Sequence, residues 1–324
     1  MRSTAPDTLD LKLLQALQLD GRASFSRIAE VLGVSDQTVA RRFRRLHDTV
    51  RLRVLGMTDQ SQLGLNSWLL RLRCTPDGAE QLAGALARRP DTSYITVISG
   101  GTEVMCAMQP RSRQAKESLL IERLHRTPRV VSVSAHCLLR RYFGGPFGWL
   151  SKLNALSPGE RAALGAPVPT PSNRPVVLDD DDEALLDLLA RDGRAPVIEL
   201  QAGTGLSEAA VRRRLERLRS TGVLYLDVQF NHTNLGNEVV SMLWLTVAPR
   251  ALQEVGRALA AHPEVRFAAA VTGRANVVAA TVHSHTGDLY DFLSGSIGAL
   301  DGVHEVETAL VQREVKQLTY EPDR

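Results

Sequence analysis

Leu9, Leu13, Leu14 and Leu17 recur every three or four residues on a polar background. That spacing predicts a helix, which Asp20-Gly21 is read as stopping. Phe25, Ile28, Ala29 and Leu32 mark a second short stripe, ended by Gly33. Ser35 is a suitable N-cap for a third helix carrying Val39, Phe43 and Leu46, because its hydroxyl accepts a free backbone N–H. Three short helices with a glycine turn between the last two predict a helix-turn-helix. Leu52, Val54 and Leu55 then read as a short strand, a wing. Beyond Leu63-Gly64 the pattern changes to a strand at Trp68–Arg73, a helix at Ala79–Ala87 and a hairpin of Tyr94–Ser99 with Glu103–Met108. A helix at Ser112–Leu124 and a strand at Val130–Leu138 complete the order β-α-β-β-α-β, a ferredoxin-like unit.

The same series then returns. Asp20-Gly21-Arg22-Ala23 reappears as Asp192-Gly193-Arg194-Ala195, and at that interval of 172 residues Gly33 meets Gly205, Ser35 meets Ser207 and Arg41-Arg42 meets Arg213-Arg214. After a one-residue slip Pro90 pairs with Pro263, Gly100 with Gly273 and Val130 with Val303. The fold class is therefore α+β: a duplicated module of winged helix-turn-helix followed by a ferredoxin-like βαββαβ domain. Expected boundaries are 1–60 and 178–232 for the helix-turn-helix domains, 61–150 and 233–324 for the α+β domains, and 151–177 for a linker. Pro158, Pro167, Pro169, Pro171 and Pro175 make that linker extended, after one helical turn at Ser157-Pro158-Gly159-Glu160. The segment Arg140–Leu156, with Tyr142, Phe143, Phe147 and Trp149, has no counterpart in the second copy and is expected to pack over the first sheet.

Composition changes this picture little. At 324 residues, 44% hydrophobic and 23% charged, each half can bury a core of its own. No apolar run approaches the roughly 20 residues that cross a bilayer, and the start lacks a secretory segment, so a cytoplasmic, nucleoid-associated protein without membrane contact is expected. Cys74, Cys106 and Cys137 lack paired spacing and read as reduced strand residues. The run Asp179–Asp182 reads as charge serving a helix start rather than a metal site, and no metal or cofactor is expected.

Charge distribution matters more than the net +3. Asp36 to Arg53 holds six arginines against two aspartates, and Ser207 to Ser220 five arginines against two glutamates. Positive charge thus gathers at matching places, as a phosphate-contacting surface requires. In a helix-turn-helix the tip of the third helix meets base edges, while flanking basic residues hold phosphates. The first tip carries Ser35, Gln37 and Thr38, of which Gln37 suits adenine, with Arg41, Arg42 and Arg45 behind it. The second carries Ser207 and Glu208, with Arg212, Arg213, Arg214 and Arg217. The copies differ where sequence is read and agree where backbone is held, so an asymmetric double-stranded DNA site is expected.

The chain resembles the Lrp/AsnC family of transcription regulators in tandem form. The carrying residues are Leu13-Leu14, Asp20-Gly21-Arg22, Ile28 to Ser35, Arg41 to Leu46 and Leu63-Gly64. In the second copy they are Leu206-Ser207, Val211 to Leu215, Leu235-Gly236, Pro263-Glu264-Val265 and Leu300 to Val303. The resemblance implies α+β units paired through their sheets, homo-oligomers built from them, and a small-molecule effector, often an amino acid, near the turn between the second and third strands. The family pattern Gly-x-x-Asp is here Gly100-Gly101-Thr102-Glu103 and Gly273-Arg274-Ala275-Asn276. Glycine suits a tight turn at positive φ. Glu103 would favour an ammonium group, Arg274 a carboxylate, and Asn276 would hydrogen-bond in either sense. One chain holding two such units implies an intrachain pair that mimics a homodimer.

Two alternatives share this architecture. Siroheme decarboxylases resemble the same family and would need basic residues converging on a tetrapyrrole, with His136, His232, His283 and His285 as candidates. An architectural DNA-compacting protein would show weak sequence preference. No Ser/His/Asp grouping, phosphate loop or zinc-ligand spacing points to other chemistry, so the chain is read as a non-enzymatic regulator.

Overall fold

The computed structural model describes residues 6–75, 77–110, 127–146, 148–165, 169, 174–230 and 239–319. The helix expected at 112–124, His232, Pro167 and Pro171 lie outside these. The described residues form two compact units. One takes the chain as far as Gly64 together with Gly145 to Phe230; the other takes Leu65–Gly144 together with the chain from Val239.

The first unit holds both helix-turn-helix domains. Copy one supplies α1 (Thr8–Leu19), α2 (Phe25–Leu32), α3 (Asp36–Val50) and β1 (Arg53–Thr58). Copy two supplies α6 (Asp180–Leu189), α7 (Val197–Thr204), α8 (Glu208–Ser220) and β6 (Leu224–Gln229). Local signals match these ends. Asp7 with Asp10, and Asp179 with Asp182, form reciprocal capping boxes on α1 and α6. Ser24, Ser35 and Ser207 cap α2, α3 and α8. Gly33 (φ 66°) and Gly205 (φ 74°) end α2 and α7 in the left-handed region. Leu13, Leu14, Leu17, Ile28, Val39 and Leu46 form the first core; Leu185, Leu189, Leu200, Val211 and Leu218 form the second.

Neither strand is a free wing. β1 pairs antiparallel with β6, from Arg53 opposite Gln229 to Thr58 opposite Leu224, so the two copies share one ribbon. The 151–177 linker also needs correction at its start. Trp149–Lys152 forms a 3-10 turn and α5 spans Pro158–Leu164, with the expected Ser157/Glu160 capping box. Leu150, Leu156 and Leu164 join the core of copy one rather than packing over a sheet. Gln15 on α1, fully buried, accepts from the Leu156 N–H at 2.8 Å and donates to the carbonyls of Ser151 and Leu153. The first helix-turn-helix domain thus includes this strap. Tyr142 and Phe143 belong instead to a strand of the other unit.

That unit holds the two α+β copies. The first consists of β2 (Trp68–Cys74), α4 (Ala79–Ala87), β3 (Thr92–Ile98), β4 (Glu103–Met108) and β5 (Val130–Phe143). The second consists of β7 (Val239–Val247), α9 (Leu252–Ala261), β8 (Val265–Val271), β9 (Val277–His283), α10 (Thr286–Asp291) with a π-helical turn at Phe292–Ile297, and β10 (Val303–Lys316). Each copy orders its strands fourth-first-third-second, and β5–β8 and β10–β3 pairing closes all eight into a barrel. Period-two alternation sends Leu70, Leu72 and Cys74 into the core beside α4 and Leu69 into the core between the sheets. The intrachain pair implied by the resemblance is thus present.

Candidate nucleic-acid interface and effector turns

The arginines that repeat between copies do not all face outward. Asp10 is fully buried, and its carboxylate is met by Arg42 at 3.1 Å and by Arg45. Arg42 also reaches Asp7, whose carboxylate raises the guanidinium above its ordinary value. Copy two repeats this clasp: Arg214 meets Asp179, Asp181 and Asp182 at 2.8 Å each, and Arg217 meets buried Asp182. A buried carboxylate is tolerated only when paired and hydrogen-bonded. Arg42, Arg45, Arg214 and Arg217 therefore hold α1 to α3 and α6 to α8, while Arg45 and Arg217 keep 46% and 40% of their side-chain surface exposed.

What remains at the first tip is more selective. Phe25, Ser35, Asp36, Gln37, Thr38, Ala40, Arg41 and Arg44 line an open cavity of about 580 Å³. Ser35, Gln37, Arg41 and Arg44 are exposed there. The Ser35 hydroxyl caps the Thr38 N–H at 3.2 Å and lies 2.9 Å from the Thr38 hydroxyl, fixing the first turn. Sequence reasoning missed Arg44; its position three residues after Arg41 on one helix face was the available signal. The second tip differs. Ala209 and Ala210 replace Gln37 and Thr38, Glu216 stands where copy one has Arg44, and Arg212 is tied to Glu208 at 2.7 Å. Arg213 is exposed beside them.

The repeated Asp-Gly-Arg-Ala motif joins the copies. Arg22 donates to the carbonyls of Gly193 and Ala195 at 2.7 and 2.9 Å; Arg194 donates to those of Gly21 and Ala23 at 2.5 and 3.0 Å. Burial, and then the other's like charge, lowers Arg194 below its ordinary value. Gly21 is needed for close approach rather than to stop a helix: a Cβ there would meet Val54 at 2.7 Å and Leu226 at 2.9 Å. Arg219 adds an ion pair to Asp20 at 3.0 Å.

The effector turns are largely committed to structure. Gly100 (φ 68°) and Gly101 (φ 86°) shape the first, where Thr102 donates to the Ser99 carbonyl at 2.8 Å. Glu103 is buried against Arg71 at 2.7 Å and accepts from the Ser99 hydroxyl at 2.9 Å, so it does not present an unpaired carboxylate to an ammonium ligand. Arg71 continues to Glu307 at 2.6 Å, holding that carboxyl below the usual range, and stacks 4.2 Å from the Trp244 ring. In the second turn Gly273 (φ 122°) lies against His136. Asn276 spends its amide on the backbone of Val247, at 2.8 and 2.7 Å. Arg274 stays 89% exposed, 3.7 Å from Glu305.

The histidines named above as tetrapyrrole candidates are engaged locally where they are described. His136 bonds the Thr272 carbonyl at 2.7 Å, His283 is buried on Thr281 at 3.0 Å, and His285 caps α10 through the Asp288 N–H. Burial pushes the Cys106 thiol up to about 12. Among the described residues no group of three or more His, Cys, Asp or Glu side chains is placed to hold a metal, and no helix is long and apolar enough to cross a membrane.

Paired helix-turn-helix domains and a closed ferredoxin-like barrel define the class of tandem proteins with DNA-binding-type and ligand-binding-type domains. Residues 7–47 and 178–219 match the AsnC-type helix-turn-helix domain, and 241–320 the Lrp/AsnC ligand binding domain. The HTH-type transcriptional regulator LrpA of Pyrococcus abyssi is 30% identical over 141 residues, which cover 43% of this chain and 100% of that protein. FL11 of Pyrococcus furiosus, also an HTH-type transcriptional regulator, is 29% identical over 145 residues, covering 44% and 96%. The chain belongs to the Lrp/AsnC family. A crystal structure of the siroheme decarboxylase NirDL superposes with a TM-score of 0.65 over 97% of this chain and 94% of that one. At 18% identity this likeness shows that the duplicated fold is shared end to end.

Proposed function

We propose that this chain is a sequence-specific DNA-binding transcriptional regulator whose base reading is concentrated in the first helix-turn-helix. The observation that carries this is the open cavity along the first turns of α3, which Gln37, Thr38, Arg41 and Arg44 line together. Gln37 and either arginine suit purine edges in a major groove. Relatives named as transcriptional regulators support the same reading. Ser207, Arg212 and Arg213 then serve as weaker backbone holders, and Glu208 restrains Arg212. Arg42, Arg45, Arg214 and Arg217 act through the clasps.

The paired α+β units are the place for a small-molecule effector, an amino acid or related metabolite. Arg274 is the turn side chain with most freedom to take a carboxylate, while Gly100, Gly101, Thr102, Glu103, Gly273 and Asn276 shape the turns around it. Further chains assemble on these units, and the protein works at the nucleoid. Competition binding with Gln37→Ala tests the reading: base preference changes at one half-site, and unchanged preference refutes it.

A further inference from the structure

The Asp-Gly-Arg-Ala bridges are symmetric in their hydrogen bonds and asymmetric in what lies beyond them. Arg194 grips the carbonyls of Gly21 and Ala23, the residues that lead into α2. Its guanidinium also lies 4.8 Å from the Phe25 ring and 5.7 Å from the Phe43 ring, and these rings contact each other at 5.3 Å. Phe25 in turn lines the cavity at the α3 tip. Arg22 makes the mirror-related backbone bonds, but the positions matching Phe25 and Phe43 are Val197 and Leu215. A guanidinium gains from an aromatic face and not from an aliphatic one. The cross-module arginine thus stacks in one direction only, toward the tip that carries Gln37 and Thr38.

We propose that Arg194, in the second helix-turn-helix, is a positioning residue for base reading by the first. It fixes the start of α2 against the middle of α3 in the other module through Phe25 and Phe43, so the second module supports the reader more than it reads. Arg194 has no role on phosphate. The inference rests on the DNA-reading proposal above and adds that this reading depends on the partner module. It also explains why the motif repeats faithfully while the tips diverge: the bridge must be kept on both sides, whereas the reading surface is needed on one.

The test compares Arg194→Lys with Arg22→Lys in the full chain, using selection from a random duplex library and affinity titrations over a salt series. Lysine keeps the charge but loses the paired, planar donors. Arg194→Lys is expected to flatten preference at the half-site that Gln37→Ala alters and to weaken specific binding roughly tenfold, with the salt dependence unchanged. Arg22→Lys, which breaks equivalent bonds, leaves base preference intact. In a Phe25→Val/Phe43→Leu background, which carries the second module's residues at both positions, Arg194→Lys adds no further loss of preference, because both rings it acts through are gone. Equal effects of the two lysine variants on preference, a further loss from Arg194→Lys in that double background, or a salt slope reduced by about one phosphate contact would each overturn the inference. If Arg194→Lys does not fold, Phe25→Val is read beside Phe43→Leu, whose ring faces Arg194 at 5.7 Å without lining the cavity: preference must fall in both, and preserved preference in either overturns the inference. A wild-type chain without any base preference would refute the DNA reading itself, a result distinguishable from all of these.

Discussion

Arg42→Ala separates a clasp from a phosphate contact. The Asp10 carboxylate is fully buried, with Arg42 at 3.1 Å on one oxygen and Arg45 and the Asp7 N–H on the other. Stranding a buried charge outright costs about 3–5 kcal/mol. Here Arg45 and the N–H remain, so losing one charge-assisted bond should cost about 2 kcal/mol. For a unit of this size that lowers its melting temperature by roughly 4–8 °C. Thermal unfolding should show the loss, while DNA affinity measured well below the transition keeps its salt slope. A residue on phosphate would instead reduce the slope by about 0.9 with little effect on stability. A reduced slope with unchanged melting would refute the clasp argument.

Three other outcomes follow from single sites. Gly193→Ala places a Cβ 3.0 Å from the Val54 carbonyl and 2.9 Å from Leu226, so denaturant unfolding should reveal a loss of about 1–3 kcal/mol; an unchanged midpoint would mean the loops are not closely packed. The Lys12 ammonium and the Ser157 N–H hold Glu160 at about 2, below its ordinary 4.5. The α5 tether is therefore complete above about pH 4.5 and weakens as pH falls toward 2, which hydrogen exchange at 158–164 would report; protection unchanged down to pH 2 would contradict it. Burial lowers His283 below its ordinary 6.5, so the fold keeps the ring neutral. Acidification through 6.5 protonates the unfolded chain first, and stability falls with it; in His283→Gln that part of the pH dependence should flatten.

Helices, caps and strand order were legible because their signals are local: Ser35 and Ser207 cap, Gly33 and Gly205 close, and Leu70 and Leu72 alternate with Leu69. Pairings between distant residues were not. The clasp left a trace, since Asp7 and Asp10 return as Asp179 and Asp182 at the interval that relates Arg42 to Arg214. Charge counting reads those arginines as DNA contacts and does not show that each also meets a buried carboxylate. Gly21 and Gly193 resemble helix stops until the opposite module is placed against them. Glu103 looked available to a ligand, but Arg71 approaches from a neighbouring strand and Glu307, which Arg71 also meets, lies far along the chain. The strap at Trp149–Leu164 has no copy to compare with, and the partners that dock it, the buried Gln15 amide, Lys12 and the core of copy one, lie far from it along the chain.

Selection of duplexes from a random library by the purified full-length chain at low ionic strength is the most direct trial of this account. Enrichment of one motif, with a base position that changes in Gln37→Ala and not in Ala209→Gly, is the predicted result. Failure to retain any duplex over background, with or without added amino acids, would contradict it.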